Sequence, residues 1–113
     1  MHELSIVMNI VGIAQEVVER ERATQVDGIE LEIGTLAGVE LSALDFSWDM
    51  AVRHTVLEHA VRTVHEVQAR ARCAQCGHEF VLSRNFDPCP QCHEVLSALL
   101  CGRELNIKSL TIS

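Results

Sequence analysis

Cys73-Ala74-Gln75-Cys76-Gly77 and Cys89-Pro90-Gln91-Cys92-His93 decide how this chain is organised. Each is a Cys-x-x-Cys unit, and 12 residues separate Cys76 from Cys89. Two residues between ligands let a tight turn aim both sulfurs at one cation while backbone N–H groups point at the thiolates. Two such turns complete a tetrahedron of thiolates. Gly77 suits a turn that needs relaxed backbone sterics. Four protein ligands leave no open position, so Cys73, Cys76, Cys89 and Cys92 are expected to hold a structural Zn²⁺ and not a catalytic one. A module this small buries little apolar area, so metal binding should supply its folding energy.

The surrounding composition sets the module's limits. Residues 70–103 contain all five cysteines and both prolines. Phe80, Val81 and Leu82, with Leu96, Leu99 and Leu100, are candidates for short strands around the ion. Cys101 reads as a small core residue, and His78 and His93 read as exposed loop residues beside the ligands. Two rival chemistries share the pattern. Cys89-x-x-Cys92-His93 fits a c-type haem attachment, against which stand the second Cys-x-x-Cys and the lack of an export signal. A redox dithiol is the other rival, though a thioredoxin-like motif would follow a strand and open a helix.

Upstream of the cysteines, two helices and two strands are expected. Residues 4–22 carry Leu4, Val7, Val11, Ala14 and Val18 at helical spacing, flanked by Ile6, Ile10, Ile13 and Val17. Over residues 28–34 the period changes: Ile29, Leu31 and Ile33 alternate with Glu30 and Glu32, the pattern of a half-buried strand. Gly34 and Gly38 mark a loop. Ser42 and Asp45 resemble a capping box, opening a helix to about Arg53 that buries Leu44, Trp48, Ala51 and Phe46. Residues 54–60 read as a loop without glycine, and residues 61–69 as a strand. Downstream, Glu104–Ile112 reads as a strand returning to the first sheet. The expected fold is α+β: two helices on a small three-stranded sheet, with an inserted zinc-ribbon-like four-cysteine module. The domains are then 1–69 plus 104–113, and 70–103.

Bulk properties narrow the function. The chain has 113 residues, 48% of them apolar, and a net charge of −7, as befits a small folded domain. Such acidity repels phosphate backbones and argues against nucleic acid. Met1-His2-Glu3 is not the basic start of a signal peptide. The longest apolar stretch is interrupted by Asn9, Gly12, Gln15 and Glu16, so no membrane span is expected. The expected compartment is the cytoplasm, where clustered thiols read as metal ligands before disulfides. No nucleophile–base pair, phosphate loop or open metal site suggests an enzyme.

The amino terminus carries a second constellation. His2 is too large for the initiator to be removed, so the free amine stays on Met1. That amine, the amide nitrogen of His2 and its imidazole can close fused five- and six-membered chelate rings. Deprotonated amide donors are strong-field and planar, which suits Ni²⁺ or Cu²⁺. The residues leave the fourth donor open among Glu3, Glu40 and a partner's histidine.

Met1-His2-Glu3-Leu4-Ser5, then Leu31-Glu32-Ile33-Gly34, Val39-Glu40, Phe46-Ser47 and the two cysteine pairs, in that order, resemble the HypA/HybF family of nickel metallochaperones along essentially the whole chain. The resemblance implies delivery of Ni²⁺ during [NiFe]-hydrogenase maturation, with urease as a further recipient. The implied partners are the GTPase HypB and the hydrogenase large subunit or its maturation complex. It further implies a nickel site of the Met1 amine, the His2 backbone and side chain and the Glu3 backbone, with Glu40 a further candidate. Zinc falls to the four cysteines. The alternative is a zinc-ribbon interaction adaptor with no nickel role.

Overall fold

A computed structural model describes residues 2–113. In chain order its elements are α1 (His2–Arg20), β1 (Val26–Gly34), α2 (Leu41–Ala51), β2 (Val61–Val67), β3 (Arg70–Cys73), β4 (Glu79–Val81), β5 (Ser97–Cys101) and β6 (Leu105–Ile112). The strands form two three-stranded sheets, ordered β2-β1-β6 and β4-β3-β5. The architecture is therefore α+β, as the period changes along the sequence imply. The chain divides into two compact units, one of Met1–Leu31, Val39–Val64 and Ile107–Ser113, the other of Glu32–Gly38 and His65–Asn106.

Helix α1 is rich in β-branched residues, which form helices reluctantly. Burial of one face holds it in place. That face is Glu3, Val7, Ile10, Ala14 and Val18. The expected stripe shares Val7, Ala14 and Val18 with this face but runs through Leu4 and Val11 where Glu3 and Ile10 are buried, one residue further along at each. Apolar residues cover so much of this helix that their spacing alone does not fix the centre of the buried arc. Leu4 is instead exposed at the edge of a cleft shared with α2. The helix stops two residues before the expected Arg22, because Arg22 itself turns left-handed at φ 57°. Ala23 N–H then donates to Val18 O at 2.9 Å and Arg22 N–H to Glu19 O at 3.2 Å, satisfying carbonyls that the helix leaves orphaned.

In the same unit, α2 packs against α1. Its start differs from the expected one. Glu40, not Ser42, is the cap: its carboxylate accepts from the N–H groups of Ser42 and Ala43. Asp45 does not close a capping box and pairs with Arg62, whose guanidinium lies 5.1 Å from the centre of the Trp48 ring. Leu44 and Trp48 are buried as expected, but Phe46 is 71% exposed. Two residues along a helix is more than half a turn, so Phe46 and Leu44 face different ways. The helix ends at Ala51, and the glycine-free turn after it is made by His54 at φ 62°.

Strand β1 buries Val26, Ile29, Leu31 and Ile33, the alternation read from its sequence. Backbone bonds from Thr24 N to Ser113 O (2.8 Å) and from Gly34 N to Glu104 O (2.8 Å) run it antiparallel to β6. The end of the chain thus returns to the first sheet. On the other side, Gly28 lies beside Val61 O and Thr35 N–H donates to Val67 O, so β1 and β2 run in the same direction. The helix α2 falls between them in sequence, as a parallel pairing requires.

In the second unit, β3 is central. It pairs antiparallel with β4, Ala71 opposite Phe80, and with β5, Ala71 opposite Leu99. Its core is Ala69, Ala71, Cys73, Phe80, Leu82 and Cys89, with Leu36 and Cys92 packed against it. Two of the six core side chains are cysteines of the metal-binding motifs, and two are alanines. Little apolar area is left to hold this unit by burial alone.

Candidate metal centre

The two cysteine turns are built alike. In the first, Gly77 N–H donates to Cys73 O at 3.1 Å; in the second, His93 N–H donates to Cys89 O at 2.8 Å. Both closing residues are left-handed, Gly77 at φ 78° and His93 at φ 68°. A glycine meets that geometry without strain, whereas His93 meets it against a Cβ clash. Each turn also aims N–H groups at its first sulfur. Gln75 and Cys76 donate to Cys73 Sγ at 3.4 and 3.5 Å, and Gln91 donates to Cys89 Sγ at 3.4 Å.

The turns bring all four sulfurs within 4.8 Å of one another. Cys73 Sγ is 3.4 Å from Cys92 Sγ, and Cys76 Sγ is 3.7 Å from Cys89 Sγ. A tetrahedron with metal–sulfur bonds of about 2.3 Å has edges of roughly 3.8 Å, close to these separations. Four thiolates at such spacing fit a tetrahedral Zn²⁺, which would supply charge compensation and cross-linking there.

The electrostatics divide the four thiols into pairs. The Cys76 N–H leads in bringing Cys73 down to about 6. Burial opposes ionisation of Cys89, but the N–H groups of Cys92 and Gln91 and the nearby sulfurs outweigh it and bring that thiol down. Cys76 moves up: the His78 N–H pulls it down, while burial and the Cys73 and Cys89 sulfurs prevail. Cys92 is pushed up to about 12 even though the Glu94 N–H pulls it down, because the Cys73 sulfur, burial and the other two sulfurs act against it. In each turn one thiol is shifted toward ionisation and the other away from it, the arrangement that a shared cation would relieve.

The remaining residues flagged in the sequence fall around this cluster. His78 is exposed and stacks on Phe80, their rings 9° from parallel. His93 is exposed as well. Cys101 stays outside the cluster, its thiol donating to Gln68 O at 3.3 Å.

A second grouping forms at the start of α1. Met1, expected to supply the amine of a nickel site, lies outside the described residues. His2 is exposed, and its Nε2 lies 3.5 Å from a Glu3 carboxylate oxygen. Glu3 is buried despite its charge. Its Oε2 accepts the Glu40 N–H at 3.1 Å, which brings His2, Glu3 and Glu40 together. The Glu40 carboxylate is turned to α2. It accepts the Ser42 hydroxyl at 2.6 and 2.9 Å, and it lies below its ordinary value chiefly because of that hydroxyl and the Ser42 N–H. Beside Glu3, a cleft of about 430 Å³ opens between α1 and α2, lined by Leu4, Phe46 and Met50 among others. Composition did not reveal the cleft, because Leu4 and Phe46 read as core residues.

Residues 1–112 match the family described as "Hydrogenase/urease nickel incorporation, metallochaperone, hypA". The chain belongs to the HypA family. It is 39% identical to the hydrogenase maturation factor HypA of Parabacteroides distasonis, across 99% of this chain and 97% of that protein. It is 40% identical to that of Geotalea daltonii, across 99% of both. Its fold matches the solution structure of the Ni metallochaperone HypA from Helicobacter pylori with a TM-score of 0.69 at 20% identity, covering 99% of this chain and 97% of the other. As a HypA-family protein it is a metallochaperone and not an enzyme. Among the described residues, no helix is long and apolar enough to cross a membrane.

Proposed function

We propose that this chain binds Ni²⁺ at its amino terminus and delivers it in the cytoplasm during [NiFe]-hydrogenase maturation, with urease as a further recipient. The observation that carries this reading is the meeting of His2, Glu3 and Glu40 beside the chain's first residues, in a chain whose family serves nickel incorporation. The proposed ligands are the Met1 amine, the His2 amide and imidazole and the Glu3 amide, with Glu40 a further candidate. Exposed His2 leaves its imidazole accessible to a cation. Cys73, Cys76, Cys89 and Cys92 hold Zn²⁺ as a closed structural site. In domain terms, residues 1–69 with 104–113 are the nickel-binding part and 70–103 the zinc-binding part. The GTPase HypB and the hydrogenase large subunit are the proposed partners.

Titrating Ni²⁺ into the zinc-loaded chain with its native amino terminus tests this. One nickel per chain is expected, lost in His2→Ala and lost again when a residue is added before Met1, while zinc is retained. Nickel binding that survives both changes rules out the amino-terminal site. Labelled nickel should then pass to the GTPase on mixing, and no transfer would refute the proposed delivery step.

A further inference from the structure

Glu3 is a carboxylate with only 5% of its surface exposed, placed in the first turn of α1 where an exposed polar residue would serve the helix equally well. Burying a charge is costly unless it is hydrogen-bonded. A resolved bond of its carboxylate is to the backbone N–H of Glu40, 37 residues away in sequence. Glu40 is the cap of α2, and its own carboxylate is occupied by the hydroxyl of Ser42 and the N–H groups of Ser42 and Ala43. The chain Glu3–Glu40–Ser42 therefore joins the first turn of α1 to the first turn of α2. It uses two carboxylates, the backbone N–H groups of Glu40, Ser42 and Ala43, and the Ser42 hydroxyl.

We infer that the Glu3 carboxylate is a positioning residue: it fixes the Glu40 cap against the amino terminus and so sets the geometry of the proposed nickel site without donating to the metal. The inference rests on the nickel reading given above and deepens it. Glu3 Oε2 is the atom that accepts the Glu40 N–H. Using that oxygen as a ligand would leave a part-buried N–H without its partner, while the rest of the side chain is buried in the protein. The Glu3 N–H also donates to the carboxylate, so deprotonating that nitrogen for nickel removes one of the carboxylate's donors but leaves its contact to Glu40. Glu3 is thereby assigned two separate tasks, the amide as donor and the side chain as brace.

The test compares wild type, Glu3→Ala and Glu3→Gln in the full zinc-loaded chain. Glutamine keeps an oxygen that can accept from the Glu40 N–H, whereas alanine keeps none. In the nickel-free protein, hydrogen exchange at the Glu40 amide should speed up about tenfold in Glu3→Ala, the scale of one lost hydrogen bond to a charged group, and recover most of its protection in Glu3→Gln. On nickel addition, Glu3→Gln should give the wild-type visible spectrum. Glu3→Ala should reach the same spectrum with affinity reduced about tenfold. A changed spectrum in Glu3→Gln would make the carboxylate a ligand and overturn the inference. Unchanged Glu40 exchange in Glu3→Ala would also overturn it. Should Glu3→Ala fail to fold, Glu3→Gln still decides, through its spectrum and its Glu40 protection. If His2→Ala binds nickel like wild type, the nickel reading fails separately, and Glu40 exchange still reports on the brace.

Discussion

Gly34 and Gly102 pass backbone against backbone, so close that a β-carbon on Gly34 would overlap the carbonyl group of Gly102 and lie 2.6 Å from the Arg103 nitrogen. Gly102 is itself pressed against Ala69, at φ 122°. Leu36 N–H donates to Gly102 O at 2.8 Å on the same short path. Neither glycine has room for a side chain, and backbone atoms cannot move aside cheaply.

Gly34→Ala and Gly102→Ala should therefore each destabilise the protein by about 3 kcal/mol, the upper range for overpacking a filled site. Gly38→Ala is the control: like Gly102 it has a positive φ, but a β-carbon there meets nothing within 4 Å. Urea unfolding of the zinc-loaded variants measures all three. Equal losses at Gly102 and Gly38 would show that backbone conformation, not crowding, sets the cost at Gly102.

The two cysteine turns make a paired prediction. Gly77→His places a β-carbon in a left-handed position and should cost about 1 kcal/mol. His93→Gly relieves the same strain, though it frees the unfolded chain by a similar amount, and should be near neutral or slightly stabilising. Thermal melts with excess zinc give both values. A large loss in His93→Gly would mean that the imidazole itself supports the site.

Metal removal should affect the second unit first. Its core contains Cys73 and Cys89 and little else of size beyond Phe80 and Leu82. Without a cation, Cys92 resists ionisation up to about 12 while Cys73 ionises near 6. Chelation should strip hydrogen-exchange protection from β3, β4 and β5, and zinc should restore it. Co²⁺ in place of zinc should give the absorption of a tetrahedral four-thiolate ion. Octahedral absorption instead would mean that the sulfurs are not the ligands.

The α2 cap should respond to acid in a defined direction. Glu40 lies below its ordinary value of 4.5, chiefly because the Ser42 hydroxyl donates to it. A depressed carboxyl stabilises the fold above its unfolded value, and that contribution disappears as pH falls through the folded value. The cap is therefore intact at neutral pH and loosens below the ordinary carboxylate range. Ser42→Ala should move the Glu40 titration up toward 4.5, read from its carboxyl carbon by NMR. An unmoved titration would remove Ser42 from the cap.

What the sequence disclosed and what it hid follow from the range of each interaction. The cysteine turns are local, so spacing alone placed Cys73, Cys76, Cys89 and Cys92 in one cluster. The alternation of Ile29, Leu31 and Ile33 shows one buried face directly. Helix α1 was legible as a helix, but not which of Glu3 or Leu4 turns inward, because a stripe that wide has no marked centre. The α2 cap was misassigned for another reason. Glu is a poor cap by propensity, and what holds Glu40 in place comes partly from Glu3, in another element. The bond between them spans 37 residues, and no local pattern announces it.

The order β2-β1-β6 has one more consequence. The chain leaves this sheet at Val67 and re-enters it at Leu105, and those points flank the end of β1, where Thr35 bonds Val67 and Gly34 bonds Glu104. Two strand spacings separate such points by roughly 10 Å, a gap that three or four extended residues can span. The topology thus asks only for a short bridge where the chain spends more than thirty residues. Strand order alone therefore leaves the length of the insertion open, while Ala69 and Gly102 near its two ends are held by close packing, Ala69 against Gly102 and Gly102 against Gly34.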